Sequence, residues 1–170
     1  IICESENGRR YVSPSINDFV EVKHQKPDLG AITKNPRDFK TPNYGMLNWE
    51  DLFTQRQSLA LTTFSEILKD ARKHIESDAS NLPVDSIQLR NGGTGSTAYA
   101  DAIITYLAFA LDKCLDYWST ICTWDSSWGK IRNVFARQAI PMSWDFAEEN
   151  PFSRSNGTWM SRINGIAKAL

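Results

Sequence analysis

A mainly helical fold is predicted: a single helical domain around a long central helix, behind an irregular, extended N-terminal segment. Three observations predict it. The stretch GGTGSTAYADAIITYLAFALDKCLDYWSTICTW, Gly92 to Trp124, carries apolar residues at helical spacing. The stretch from Gln55 onward repeats that period. No strand–helix–strand alternation appears along the chain, nor any internal repeat or low-complexity tract.

The central helix is predicted over Thr97–Thr123, with Thr94 or Ser96 as N-cap, because a side-chain oxygen there accepts an orphan backbone N–H. Its stripe is Tyr99, Ile103, Tyr106, Leu107, Ala110, Leu111, Cys114, Leu115, Trp118, Ile121 and Cys122. Asp101, Asp112 and Asp116 fall off the stripe and are expected to face water. So wide an apolar face requires cover from other elements.

The second helix is predicted over Gln55–Glu76. Thr54 and Gln57 form a capping box, the Thr hydroxyl taking the Gln57 N–H while Gln57 reaches back. Ala60, Phe64, Ile67, Leu68, Ala71 and Ile75 make the stripe, and Arg72, Lys73 and His74 complement the negative helix end.

The remaining chain is less regular. Residues 1–45 read as an irregular arm and 46–170 as the helical core. Ser13-Pro14 opens a short helix to about His24, with Ile16, Phe19, Val20 and Lys23 on one side. Lys26–Tyr44 holds Pro27, Gly30, Pro36 and Pro42 and reads as an extended loop. Ser77–Arg90 is a loop with a short extended piece at Ser86–Leu89. Asp125 caps a shorter helix through Ile131, Val134 and Phe135. Pro141 begins a further turn, Met142 to Glu149, which Asn150-Pro151 stops. A terminal helix follows at Trp159–Ala169.

Composition narrows the function classes. The 170 residues are 41% hydrophobic and 23% charged, a globular balance with enough chain for a core. No apolar run reaches the roughly 18 residues a bilayer span needs, and no signal peptide is visible. A first residue other than Met suggests an excised or processed product. The net charge of −1 lacks the bulk basic signature of a nucleic-acid binder. Basic residues exceed acidic ones only at the two ends; residues 46–129 hold six Lys/Arg against eleven Asp/Glu. Any polyanion contact is therefore expected from the ends. Cys114 and Cys122 lie eight positions apart, about 12 Å along a helix, too far to bridge. With Cys3 they make no disulfide framework, and a reduced, cytoplasmic setting fits. The sequon Asn156-Gly157-Thr158 is discounted without a secretory signal.

Individual motifs assign no chemistry. Gly92-Gly93-Thr94-Gly95-Ser96 before a helix invites an anion-binding reading, but it has no Walker lysine and serves equally as connector and cap. Asn150-Pro151-Phe152 resembles the Asn/Asp-Pro-Pro-Tyr/Phe motif of amino-methyltransferases without its second proline; a helix stop explains it. The tryptophans offer stacking platforms; Trp118 is expected in the core, with Trp144 or Trp159 left as stackers. His24 and His74 stand alone, so no metal site is expected.

Three strings together resemble one family. They are DLFTQRQSLALTTFSEIL, the Gly92–Trp124 stretch and IRNVFARQAIPMSWDFAEENPFS, spanning roughly Pro42 to Ser153. The chain is similar to large prokaryotic adenine-specific DNA methylases, many with a zinc ribbon and an N-terminal domain of unknown function. The resemblance implies S-adenosylmethionine-dependent methyl transfer to the exocyclic amine of adenine in DNA. The chain departs from such enzymes where chemistry sits. It has no Phe-x-Gly-x-Gly cofactor loop, no complete Asp-Pro-Pro-Tyr motif and no zinc-ribbon cysteines. It corresponds to the region between the two motifs, where related enzymes carry a target-recognition insertion. No catalytic, cofactor-binding or metal-ligating residue carries over. S-adenosylmethionine would belong to the parent, and the partners expected are DNA and the parent's catalytic domain, with no membrane.

Two roles remain open. A recognition segment would contact DNA through Arg132, Asn133, Arg137 and Gln138, with Arg56, Trp144 and the basic loop Lys26–Lys40 in support. Arginine engages phosphate or guanine, and Asn or Gln pairs with adenine edges. A bracing or assembly module would spend those side chains internally and expose an apolar patch instead.

Overall fold

The computed structural model describes residues 2–5, 8–18, 20–135 and 138–170. Helix α1 spans Gln55–Asp78 and α2 spans Ser96–Leu115. The capping box forms as read: Thr54 Oγ1 accepts the Gln57 N–H at 3.1 Å, and Gln57 Oε1 accepts the Thr54 N–H at 2.8 Å. The two helices pack antiparallel. Arg72 meets Asp101 at the α1 end, and Leu61 and Leu115 line one cavity at the other. Helix α3, Trp159–Ala167, lies against α2. The fold is mainly helical, with an irregular N-terminal segment, as the periodicity predicts.

The N-cap of α2 differs from expectation. It is Gly95, with neither Thr94 nor Ser96 capping. A Cβ at Gly95 would lie 2.3 Å from the Pro83 carbonyl oxygen, so the loop before α2 packs too closely for any side chain. The Thr97 hydroxyl instead sits 2.5 Å from both Glu76 Oε1 and the Asp85 carbonyl oxygen, tying α2 to the end of α1.

The predicted stripe of α2 also divides. Its Ala110 and Cys114 are buried, as are Ala98 and Ala100 outside it, whereas its Tyr99 and Tyr106 are 48% and 37% exposed. Small side chains let α1 and α3 approach the α2 backbone, which leaves the bulky aromatics outside the contact. Leu111 is half-buried, and on α1 the outlying stripe residue is Ile67, exposed beside buried Leu68.

The central helix ends at Leu115, eight residues before the predicted Thr123. Asp116 is not in water but buried. Its carbonyl accepts the Val134 N–H at 3.0 Å, and its carboxylate accepts the Phe135 N–H at 2.8 Å. The Thr120 N–H turns to the Leu52 carbonyl at 2.8 Å. Tertiary partners thus replace the next helical turn.

The short helix predicted after Asp125 is instead a hairpin, β3 (Trp124–Asp125) against β4 (Lys130–Ile131). Asp125 caps a turn: its Oδ1 accepts the Ser127 hydroxyl at 2.6 Å and the Ser127 N–H at 3.1 Å. Gly129, at φ +57°, supplies the left-handed residue the turn needs. The Pro14–His24 helix shrinks to a 3-10 turn at Ile16–Asp18. Ile16 and Val20 are exposed, so nothing covers an amphipathic face that would hold a longer helix; Phe19 lies outside the described residues. Met142–Glu149 is irregular, anchored where the Ala147 N–H reaches the Cys122 carbonyl at 3.0 Å. A two-stranded hairpin of β1 (Ile2–Ser5) and β2 (Gly8–Tyr11), pairing Ile2 with Tyr11, was not foreseen.

A hydrophobic cluster lies outside the helices. Ile32, Leu52, Ile121, Cys122, Val134 and Ile140 come from turns and irregular chain, together with Ile131 of β4. The Lys26–Tyr44 segment is therefore structural: the Ile32 N–H donates to the Leu47 carbonyl at 2.8 Å, and Asp38 and Lys40 bond the backbone of Ile140. Trp118, 2% exposed, is tied to the chain just before α3 through its indole N–H, which donates to the Gly157 carbonyl at 2.9 Å. Among the described residues no helix is long and apolar enough to cross a membrane.

Candidate functional site

Among the side chains proposed for DNA contact, the described Arg132, Asn133, Gln138 and Arg56 fall in two regions. The first is the β3–β4 hairpin and its exit. The Arg132 side chain is 67% exposed, with Nε 3.0 Å from Asp125 Oδ2. The Ser127 hydroxyl first, then the Trp128 N–H and after it the Arg132 charge, hold the Asp125 carboxyl below its ordinary value. Asn133 is half-buried and donates from Nδ2 to Asp116 Oδ2 at 3.3 Å. Gln138 is exposed, and Arg137 lies outside the described residues. At the tip, Trp128 is 74% exposed with the Lys130 ammonium 5.5 Å from its ring centre, a cation–π contact not singled out from the sequence.

The second region begins at the N-terminus of α1. Arg56 grips Glu148 with two bonds, Nε to Oε1 at 3.1 Å and Nη2 to Oε2 at 2.6 Å. That hydrogen-bonded carboxylate raises the guanidinium pKa further. Beside the pair, Gln57, Trp118, Glu149 and Asn150 line a cavity of about 500 Å³. Gln57 is 4% exposed, and its Nε2 has no hydrogen-bond partner among the described residues. Asn150 Oδ1 accepts the Phe152 N–H at 3.0 Å, so the carbonyl of this Asn-Pro pair closes a turn.

The aromatic candidates separate. Trp144 stands 76% exposed, meeting Tyr44 edge-on at 4.9 Å. Trp159 is half-buried and packs 5.0 Å from Phe64, which removes it as a free stacker. In the basic loop, Lys26 Nζ donates to the Glu50 carbonyl and Lys40 Nζ to the Pro36 carbonyl.

The glycine-rich loop is already filled by the protein. The Ser96 N–H, at the start of α2, donates to the Pro83 carbonyl at 3.0 Å. A Cβ on Gly93 would lie 2.0 Å from the Ile87 carbonyl oxygen, and one on Gly95 would lie 2.6 Å from Asp85 Oδ2. The glycines admit the 83–87 loop, and a carboxylate already stands where an anion would bind.

Neither buried cysteine is poised as a nucleophile. Burial pushes the Cys114 thiol up to about 12 and raises Cys122 as well. Among the described residues no cluster of three His, Cys, Asp or Glu side chains is arranged to hold a metal. The unpartnered Gln57 amide and the buried Asp116 network were both missed by sequence reasoning. Only the capping-box spacing pointed to Gln57, and it pointed to the oxygen. Comparison with known proteins returns no matching family model, no matching curated protein and no matching solved structure.

Proposed function

We propose that this chain is a helical accessory region of an S-adenosylmethionine-dependent, adenine-specific DNA methyltransferase, working in the prokaryotic cytoplasm and bracing the parent's catalytic domain rather than performing chemistry. The enzyme class rests on the three strings between Pro42 and Ser153. The bracing role rests on the outer face of α2. There Tyr99, Tyr106 and Phe109 are 48%, 37% and 52% exposed, and the last two rings meet at 6.4 Å. Such a face on a helix covered elsewhere by α1 and α3 suits a further packing partner. Arg56 and Asn133 support the same reading, since both have internal acidic partners.

Target recognition is the second reading, favoured by the exposed Trp128, Lys130 and Arg132 on one hairpin. One experiment separates the two. Methyl transfer to adenine in duplex DNA is measured with the parent polypeptide carrying either Tyr106→Ser/Phe109→Ser or Lys130→Ala/Arg132→Ala. Bracing predicts lost activity and a lowered melting temperature for the first pair, with DNA affinity unchanged in the second. Loss of DNA affinity in the second pair alone, falling steeply with salt, would favour recognition. A parent without methyl transfer would remove both.

A further inference from the structure

Two features far apart in the sequence meet at one junction. The Ile140 N–H donates to the Asp38 carbonyl at 2.8 Å, and the Lys40 N–H donates to the Ile140 carbonyl at 3.1 Å. These bonds fasten the basic loop to the chain that leads into Trp144. Lys40 also opens the 3-10 turn Thr41–Tyr44. Tyr44, at the far end of that turn, meets the Trp144 ring at 4.9 Å, with the two planes 76° apart.

The ring pair is open to solvent. Trp144 is 76% exposed and Tyr44 54%. An edge-to-face contact covers one face of one ring only, so it steadies the indole and leaves flat aromatic surface free. Lys34, Arg37 and Lys40 are exposed as well. None of the three pairs with a carboxylate among the described residues. From Lys34 to Tyr44 the one acidic residue is Asp38, and its Oδ2 accepts from Asn35 Nδ2 at 2.7 Å. With Asp145 beside Trp144 counted too, three cations stand against two carboxylates. An occupant must therefore offer a flat π face for the indole together with negative charge for the loop.

We propose that Trp144 and the Lys34–Lys40 loop bind single-stranded nucleic acid. An unpaired base stacks on the indole, the Tyr44 edge keeps that ring in place, and Lys34, Arg37 and Lys40 take the neighbouring phosphates. A single strand is specified because it presents base faces and phosphates together, whereas a duplex hides its base faces in the stack. Every base has a π face, so DNA and RNA strands share the required chemistry. The surface is separate from the aromatic face of α2 and from the β3–β4 hairpin, and binding here leaves the bracing role untouched.

Fluorescence anisotropy tests it, with labelled twelve-nucleotide oligo(dT), oligo(rU), an abasic strand of equal length and a duplex as probes. At low salt at least one homopolymer is expected to bind, more tightly than the abasic strand or the duplex, and the tighter homopolymer names the source. Trp144→Ala should weaken that binding about tenfold, with Trp144→Phe recovering most of the loss. Lys34→Ala/Arg37→Ala should weaken it several-fold and reduce the slope of log affinity against log salt by about 1.4, two phosphate contacts at about 0.7 each. These side chains are exposed, so unchanged melting temperatures are expected, and Lys130→Ala/Arg132→Ala should bind as the wild type does. No binding of either homopolymer, an abasic strand or duplex bound as tightly, or wild-type affinity in Trp144→Ala would each overturn the proposal. So would a loss confined to the hairpin variant.

Discussion

Asp116 ends helix α2 by binding chain from nineteen residues downstream: its Oδ1 accepts the Phe135 N–H at 2.8 Å. Oδ2 takes Asn133 Nδ2 at 3.3 Å, and the Asp116 carbonyl takes the Val134 N–H at 3.0 Å. One residue thus sets where the helix stops and where the chain beyond the β3–β4 hairpin returns. Asp116→Ala is expected to destabilise the protein by about 1–3 kcal/mol, the usual cost of stranding partly buried donors. Urea melts of the two proteins check it; equal midpoints would mean that the carboxylate is dispensable.

Gly157 and Trp118 form a second joint. Gly157 has φ +105°, and a Cβ there would lie 2.8 Å from Tyr117 Cδ1. The same residue's carbonyl holds the Trp118 indole. Gly157→Ala should lower stability by about 1–3 kcal/mol through backbone strain and the forced shift of Tyr117. Trp118→Ala should cost more, about 3–5 kcal/mol, because it empties a buried site. Thermal melts rank the two, and a neutral Gly157→Ala would contradict the geometry.

Leu111→Ala offers a calibration of burial. Leu111 is half-buried and lines the cavity of about 430 Å³ between α1 and α2. A loss of about 1 kcal/mol is expected, below the 2–5 kcal/mol typical of a fully buried leucine. A denaturant melt giving the larger figure would mean that the cavity is closed in solution.

The Arg72–Asp101 pair makes a pH prediction. Asp101 Oδ1 takes Arg72 Nη2 at 2.7 Å and Nε at 3.0 Å, while Oδ2 takes the Leu89 N–H. The Arg72 hydrogen bonds, followed by the Leu89 N–H, lower the Asp101 pKa from 3.8. A carboxylate with a depressed folded-state pKa stabilises the fold above its unfolded value. The contribution is therefore intact above pH 3.8 and fades as pH falls toward the lowered folded value. The stability difference between wild type and Asp101→Asn should be constant from pH 7 to pH 5 and shrink below pH 4. A difference unchanged at pH 3 would show that the pair contributes nothing through ionisation.

The sequence by itself determined the elements whose signals are local. The Thr54–Gln57 box and the apolar period of Ala60 to Ile75 specify α1, and the same period specifies α2 as far as Leu115. These are interactions between residues three or four positions apart, and the chain carries them wherever it goes. Tertiary structure decided the rest. The period runs on through Trp118 and Ile121 to Cys122, yet the helix does not, because Leu52 and the 133–135 segment supply the bonds that another turn would have made. Asp125 caps either a helix or a turn, and the pairing of Trp124 with Ile131 selects the turn. Which side of a wide stripe is buried was likewise not local: small residues drew α1 and α3 close, leaving Tyr99 and Tyr106 outside. The burial of the Gln57 amide was equally invisible, since spacing predicts the bond its oxygen makes and says nothing of what surrounds its nitrogen.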